Sequence, residues 1–161
     1  MKKTVQRSII LIVFAIMVPI CVHASPSWDL GSSFGDVEGK EWILLELGSP
    51  GENILWDRLK LEAEGFGGIY TVQFLEGQLS GMGAPNRYFG PYTVGDNRAL
   101  SIGNLASTMM MAFREPEGLR EREYFDLLSK TTRWDLRGGR RELYSSGSDG
   151  VEIVMVFGLN Q

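Results

Sequence analysis

The stretch Ser80–Tyr92, SGMGAPNRYFGPY, carries the strongest fold signal in this chain of 161 residues. Glycines interrupt it, aromatic residues lie between them, and Asn86 and Arg87 stand side by side at its centre. Because glycine and asparagine accept the backbone angles of tight turns, the stretch predicts closely spaced turns in a β-rich domain. A second informative stretch, LASTMMMAF at Leu105–Phe113, follows it.

The segments around these two stretches predict short strands joined by turns. Antiparallel hairpins are indicated where two β-type runs flank residues that favour turns, at Ile69–Leu75 with Gln78–Gly81, Tyr92–Val94 with Leu100–Ile102, and Arg133–Leu136 with Glu142–Tyr144. Further strands are predicted at Trp42–Leu47, across the core at Ala106–Phe113, at Val151–Phe157, and where Leu59, Leu61 and Ala63 alternate with charged residues.

One segment, at about residues 116–130, predicts a helix. Pro116 suits a first helical position. Tyr124, Leu127 and Leu128 have the i, i+3, i+4 spacing of a buried helical stripe, with Glu121 on the same face. Short strands with a single helix predict an α+β fold that is predominantly antiparallel β. A twisted sheet or small barrel-like meander would pack against that helix.

The N-terminus has the pattern of an export signal. Lys2, Lys3 and Arg7 precede an apolar run, Ser8–Val22, which is shorter than the roughly 20 residues of a membrane span. Cleavage is predicted before Ser25, which leaves no stable membrane span.

The predicted organisation is a signal peptide at residues 1–24, a flexible lead-in at 25–39 that is rich in serine and glycine, and one domain at 40–161. The expected location is periplasmic or extracellular. A lipoprotein anchored through Cys21 is the weaker alternative, because the large side chain of Ile20 precedes that cysteine.

Removal of the signal peptide would take away the only cysteine, Cys21, and the only histidine, His23. Mechanisms and zinc sites that need a thiol or an imidazole are then excluded, so we expect no enzyme activity and no cofactor. Three cations would leave with the peptide, and the net charge would change from −4 to −7. Because such a surface repels phosphate backbones, nucleic acid is not an expected partner. Arg137, Arg140 and Arg141 are interpreted as the solvated tip of a hairpin.

Two motifs carry a family resemblance. SG-x4-NRYFG at Ser80–Gly90 and LASTMM at Leu105–Met110, followed by an acidic-then-apolar helix and a final hairpin, resemble the META domain, the HslJ-like family of small envelope and secreted proteins. The resemblance covers roughly Glu41–Phe157. It implies a β-rich exported domain with a stress-associated (heat shock protein-like) or protein-interaction role, in a family without a settled activity. Members commonly carry two cysteines where this chain has Pro85 and Ala112, so the resemblance implies no cross-link here.

The candidate structural or interaction residues are Asn86, Arg87, Gly90, Thr108 and Glu121. Asn86 is predicted to cap a tight turn, with glycines such as Gly90 supplying unusual backbone angles. Arg87 is predicted to pair with Glu121, because a carboxylate on an apolar helix face needs a partner. The alternative is an anion or peptide-terminus site built around Arg87.

Three classes of function stay open. The preferred one is a monomeric, non-enzymatic exported domain that contacts an envelope or extracellular protein. The first alternative is a binding module for an apolar ligand or peptide in a barrel mouth walled by Trp42, Phe74, Tyr88, Phe89 and Tyr92. The second is a hydrolase that uses carboxylates alone, such as Glu62 with Glu64 or Glu115 with Glu117. Met109–Met111 would suit Cu(I), but alternating methionines are interpreted as adaptable core filling.

Overall fold

The computed structural model describes residues 33–49, 52–147 and 150–160. Within these ranges one antiparallel sheet contains ten strands. They are β1 (Glu41–Ser49), β2 (Glu52–Leu55), β3 (Thr71–Leu75), β4 (Gln78–Met82), β5 (Arg87–Val94), β6 (Leu100–Ile102), β7 (Ala106–Ser107), β8 (Thr131–Arg137), β9 (Arg140–Ser146) and β10 (Glu152–Leu159). The three predicted hairpins are confirmed as β3–β4, β5–β6 and β8–β9.

The sheet curls into a nearly closed barrel. Its strand order is β6-β5-β4-β3-β1-β10-β9-β8, with β2 attached to β1 and β7 to β5. The two outer strands meet, since Ala99 next to β6 forms an antiparallel bridge with Arg133 of β8. Arg98 also makes an ion pair with the buried Asp135 across this seam. The predicted fold class, α+β with predominantly antiparallel β and a barrel-like meander, is confirmed.

The described ranges contain two helices rather than the single one predicted. The first, α1 (Arg58–Ala63), replaces the half-buried strand expected around Leu59 and Leu61. The side chain of Asp57 caps it by accepting a hydrogen bond from the Lys60 amide at 3.1 Å. Only Leu61 is buried, whereas Leu59 is 78% exposed. The alternation that predicted a strand was too short to separate it from one helical turn.

The second helix, α2 (Glu121–Ser129), begins later than the predicted start at Pro116. Gly118 has a φ of +88°, which interrupts any helix there. The helix starts after Arg120, whose backbone N–H donates to the side chain of Glu123 at 3.0 Å. The predicted apolar stripe is confirmed, because Tyr124, Leu127 and Leu128 are all buried.

Residues 33–39, the end of the predicted lead-in, pack against the barrel. They contain a 3-10 turn at Phe34–Asp36, and Val37 is fully buried. The Trp42 indole donates to the Val37 carbonyl at 3.1 Å, and the Gly39 amide donates to the Phe74 carbonyl at 2.8 Å. The packed part of the chain therefore begins before Lys40.

The predicted strand through the core at Ala106–Phe113 is wrong. Only Ala106–Ser107 pairs with β5, as β7, and the residues that follow it lie on the surface. The strand stops because the side chain of Asn86 takes both the N–H and the carbonyl of Met110, the groups that a further ladder would use.

The predicted signal peptide at 1–24, its cleavage site and Cys21 lie outside the described residues. No helix in the described ranges has the length and hydropathy to cross a bilayer.

Candidate functional site

A hydrogen-bond network centred on Asn86 joins three of the predicted candidate residues. Asn86 lies in the turn between β4 and β5, directly opposite the start of α2. One Glu121 carboxylate oxygen accepts from the backbone amides of Ala84 and Asn86, both at 2.6 Å. The other accepts from the Asn86 side-chain amide at 2.7 Å. Glu121 thus attaches the helix to the turn through three charge-assisted bonds.

The opposite side of Asn86 holds the chain after β7. Its carbonyl oxygen accepts from the Thr108 hydroxyl at 2.8 Å and from the Met110 amide at 2.6 Å. Its amide also donates to the Met110 carbonyl at 3.2 Å. Both donors and both lone pairs of this buried side chain are therefore satisfied. The predicted turn-capping role of Asn86 extends to holding a loop.

The predicted pair between Arg87 and Glu121 is wrong. Arg87 is exposed, because Tyr88, Gly90 and Tyr92 point inward along β5 and the residues between them point outward. Glu121 finds its partners in the neighbouring turn instead. Only the backbone of Arg87 joins the network, since its N–H donates to the Thr108 hydroxyl at 3.2 Å.

The glycines of this region allow close approach rather than the unusual backbone angles that were predicted. Gly81, Gly83 and Gly90 are not among the described residues with positive φ. A Cβ at Gly90 would lie 2.8 Å from the Asn104 carbonyl oxygen. A Cβ at Gly83 would lie 2.5 Å from Glu121 Oε1. The network therefore needs glycine at position 83, three residues before Asn86.

Beyond the network lies the methionine loop, which we define as Met109–Phe113. Met109 is 100% exposed, Met111 82% and Phe113 98%. The interpretation of these methionines as core filling is wrong, because the loop leaves the barrel at Thr108. Cu(I) binding by the loop stays a hypothesis that a titration would test.

The aromatic residues proposed as walls of a barrel mouth separate into three groups. Tyr88 belongs to a buried tyrosine cluster, in which its hydroxyl donates to the Thr71 carbonyl at 2.7 Å and lies 3.2 Å from the hydroxyl of Tyr124. Burial raises the pKa of the Tyr88 hydroxyl well above its ordinary value. Phe89 is half exposed. The remaining three, Trp42, Phe74 and Tyr92, lie near a buried arginine.

That arginine, Arg141, was predicted to be a solvated turn residue but is fully buried. Its guanidinium carbon lies 4.5 Å from the ring centre of Phe74, 5.1 Å from that of Trp42 and 5.3 Å from that of Phe34. Among the described residues, no acceptor bonds to any of its three side-chain nitrogens. Burial lowers the pKa of the guanidinium to about 9, so the group is charged at neutral pH.

Comparison with known proteins places this architecture in a family. The family model described as META domain matches residues 36–156. The chain belongs to the META domain family. A search of curated proteins gave no match.

Two solved structures share the fold of this META domain. The NMR structure of a protein from Burkholderia xenovorans is 21% identical, with a TM-score of 0.57, over 79% of this chain and 86% of that one. The crystal structure of a DUF4847 family protein from Bacteroides vulgatus is 12% identical, with a TM-score of 0.53, over 80% of this chain and 98% of that one. At these identities the likeness shows the fold alone.

The acidic pairs of this META domain lie at its surface. Glu62, Glu64, Glu115 and Glu117 are all exposed, and Glu62 and Glu64 lie on and just after α1 rather than on a strand. In the described ranges, no three His, Cys, Asp or Glu side chains converge as metal ligands. An open groove of about 810 Å³ beside α2 has a mixed lining of charged and apolar residues, such as Arg122 and Phe125.

Sequence reasoning missed the surroundings of Arg141. A signal was present, because Arg141, Leu143 and Ser145 alternate along β9 and share its inward face. Phe34 carried no such pattern, since it is an isolated aromatic residue in a stretch of serine and glycine.

Proposed function

We propose that this META domain is an exported, non-enzymatic, monomeric protein that binds a partner protein through the methionine loop. The observation that carries the proposal is the exposure of Met109, Met110, Met111 and Phe113 on a loop whose base is held by the buried Asn86. Soluble proteins seldom leave contiguous large apolar side chains in water unless they form a contact surface.

The chemistry of the loop indicates the kind of partner. Methionine side chains are unbranched and polarisable, so they adapt to irregular apolar clefts. Phe113 adds one rigid aromatic group of the type that anchors interfaces. Arg87 is exposed beside the base of the loop, since its backbone bonds to Thr108. An exported protein that presents an apolar cleft with an acidic rim fits these features.

Export is supported by the sequence alone, through the basic residues and the apolar run that precede Ser25. An envelope-stress role is supported only by the family resemblance. N-terminal sequencing of the protein from an envelope fraction tests export, and the expected first residue is Ser25.

The contact is tested by isolating a stoichiometric complex from that fraction with two matched variants. Met109→Ser/Met111→Ser/Phe113→Ser removes the apolar loop. The control, Leu59→Ser/Leu75→Ser, removes apolar groups that are also exposed but lie elsewhere. We expect the loop variant to lose the complex and the control to retain it, with unchanged thermal stability in both.

A further arm uses Arg87→Glu, which should slow association and leave thermal stability unchanged, because rim charges act mainly on the association rate. A complex that survives in the loop variant would contradict the proposal. So would flotation of the protein with anionic vesicles that depends on the loop, which would make the partner a membrane. Robust turnover of a substrate by the purified protein would contradict the non-enzymatic assignment.

A further inference from the structure

The structure assigns a second binding site, separate from the methionine loop, to the end of the barrel at Arg141. We propose that this end binds a small carboxylate with an aromatic or other apolar body, and that Phe34 occupies the same place in the structure described here. This proposal rests on a buried unpaired guanidinium, on a second unpaired donor whose ring contacts Phe34, and on the position of Phe34 itself. We call the surroundings of the guanidinium, lined by the rings of Phe34, Trp42 and Phe74, the chamber.

The guanidinium has the chemistry of an anion receptor. All three nitrogens of Arg141 are buried and lack an acceptor among the described residues, although Arg141 remains charged at neutral pH. A buried cation without a hydrogen-bonding counter-ion destabilises the fold, and the surrounding rings offset only part of that destabilisation. A buried group of this kind is explained most simply by an anion that it binds. Arginine pairs best with carboxylate or phosphate oxygens at about 2.8 Å.

A second unpaired donor belongs to a ring that contacts Phe34. The indole N–H of Trp134 is buried and has no acceptor among the described residues. The ring of Trp134 meets the ring of Phe34 edge to face, with centroids 5.1 Å apart. Phe34 therefore contacts both residues that carry an unpaired donor, and its ring has no oxygen or nitrogen acceptor to offer either of them.

Phe34 precedes the first strand, so its side chain could move without breaking the ladder of any strand. It is only partly buried, and its ring packs on Phe74 at 5.3 Å and on Tyr92 at 5.5 Å between centroids. The later part of the segment before β1 is held by the buried Val37 and by the bonds from Trp42 to Val37 and from Gly39 to Phe74. Among the described residues, Phe34 itself has backbone hydrogen bonds only from Val37 and Glu38 of the same segment. Displacing it would vacate a place of the size of a phenyl ring beside the guanidinium.

The same segment also carries a carboxylate. The Tyr92 hydroxyl donates to Glu38 Oε1 at the rim of the chamber, and the charge of Glu38 acts on Arg141 from there. Glu38 makes no hydrogen bond with the guanidinium. The segment therefore places an aromatic ring, that of Phe34, and a carboxylate, that of Glu38, near Arg141 on two separate side chains. A ligand that carries both parts in one molecule would pair with Arg141 directly. Phosphate esters fit less well, because the aromatic rings around Arg141 would leave the further phosphate oxygens without hydrogen-bond donors.

The test uses Phe34→Ala, with phenylacetate as the probe and phenylacetamide as its neutral analogue. We expect Phe34→Ala to bind phenylacetate at least tenfold more tightly than the amide, since a charge-assisted bond distinguishes the two. It should also bind phenylacetate at least tenfold more tightly than the wild-type protein does. Calorimetry measures the affinities, and the fluorescence of Trp42 and Trp134 reports occupancy of the chamber.

Two matched variants locate the effect. Phe34→Ala/Arg141→Met should lose the preference for the acid. Phe66→Ala removes an aromatic ring that also faces an arginine, Arg114 at 5.4 Å, but lies outside the chamber, and it should show no saturable binding.

Equal affinity of folded Phe34→Ala for acid and amide, or an acid preference that survives Arg141→Met, would overturn the proposal. If Phe34→Ala does not fold alone, its near-ultraviolet circular dichroism is followed as either probe is added. Refolding by the acid alone supports the site, whereas refolding by both or by neither overturns it.

Discussion

At the scale of single residues, Asn86 joins three parts of the molecule. Its side chain reaches the helix through Glu121 and the surface loop through Met110, and its backbone belongs to the β4–β5 turn. The sequence predicted that Asn86 is a turn residue, because asparagine is typical of turns. Its partners depend on contacts more than twenty residues away in the chain, so local patterns could not identify them.

The first prediction concerns Asn86→Ala. The change removes the four side-chain hydrogen bonds of a buried residue, so we expect a loss of about 2–4 kcal/mol in the free energy of unfolding. Urea denaturation measures it. Arg87→Ala is the neighbouring control and should change the free energy by less than about 0.5 kcal/mol, because its side chain is exposed. Equal effects of the two changes would show that the network contributes little.

The second prediction concerns the charge of Arg141. Arg141→Met should raise the free energy of unfolding at pH 7 by about 1–4 kcal/mol, because it replaces a buried unpaired charge by an apolar side chain. Burial lowers the pKa of Arg141 from 12.5 to about 9. Above about pH 9 the folded wild-type protein therefore binds fewer protons than its unfolded chain. The free energy by which Arg141 destabilises the folded state then becomes smaller as the pH rises.

The difference in the free energy of unfolding between Arg141→Met and the wild-type protein should thus become smaller between pH 9 and 10. Denaturation of the two proteins in parallel removes the contribution of tyrosines such as Tyr88, whose raised pKa lowers stability at still higher pH in both. A difference that does not change with pH would mean that Arg141 does not titrate in this range.

At the scale of secondary structure elements, the β8–β9 hairpin decides the position of Arg141. Gly138 and Gly139 form its two-residue turn, with φ values of +55° and +76°. Two successive positive φ angles are typical of a type I′ turn, which fixes the register of the flanking strands. That register places Arg141 on the inward face, because a shift by one residue would turn each side chain to the other side.

The third prediction follows from this turn. Gly139→Val should lower the free energy of unfolding by about 1–3 kcal/mol, because a β-branched residue is strained at positive φ. Gly138→Asn should be nearly neutral, since asparagine accepts that conformation. A Cβ meets nothing within 4 Å at either position, so any loss reflects the backbone alone. Thermal unfolding of both variants measures the two effects. A similar loss of stability in Gly139→Val and Gly138→Asn would contradict the prediction.

Sequence patterns correctly predicted those elements whose structure is determined by residues close together in the chain. Each confirmed hairpin has turn residues between β-type runs, and α2 has a buried stripe of Tyr124, Leu127 and Leu128. The strand expected in place of α1 and the early start of α2 were wrong because short amphipathic stretches are ambiguous. The strand through Met110 failed for another reason, since a side chain from a different element displaced its ladder.

At the scale of the whole molecule, the seam between the outer strands determines how completely the barrel closes. Within the part of the chain that the structure describes, Ala99 and Arg133 form one isolated bridge there. Asp135 adds side-chain contacts, because it pairs with Arg98 from the far edge and with Arg137 on its own strand. A barrel could be predicted from the strand pattern, whereas the residues that close it could not, because Asp135 reads as an ordinary surface carboxylate.

The fourth prediction tests this seam. Asp135→Ala should lower the free energy of unfolding by about 2–4 kcal/mol, since it removes a buried carboxylate from two arginines. It should also speed hydrogen exchange of the amides around Ala99 and Arg133. Glu152→Gln, which breaks an exposed pair with Arg133 at 3.5 Å, is the control and should have little effect. Unchanged exchange at the seam in Asp135→Ala would mean that the strands close without it.

The pairing of β1 with β10 has a consequence for the timing of assembly. Trp42 lies opposite Leu159 and Gly48 opposite Val154, so this ladder joins positions that the ribosome produces far apart in time. Contacts between such distant positions form slowly, because a long loop must close first. We therefore expect the β1–β10 ladder to form after the local hairpins, once β10 has been synthesised.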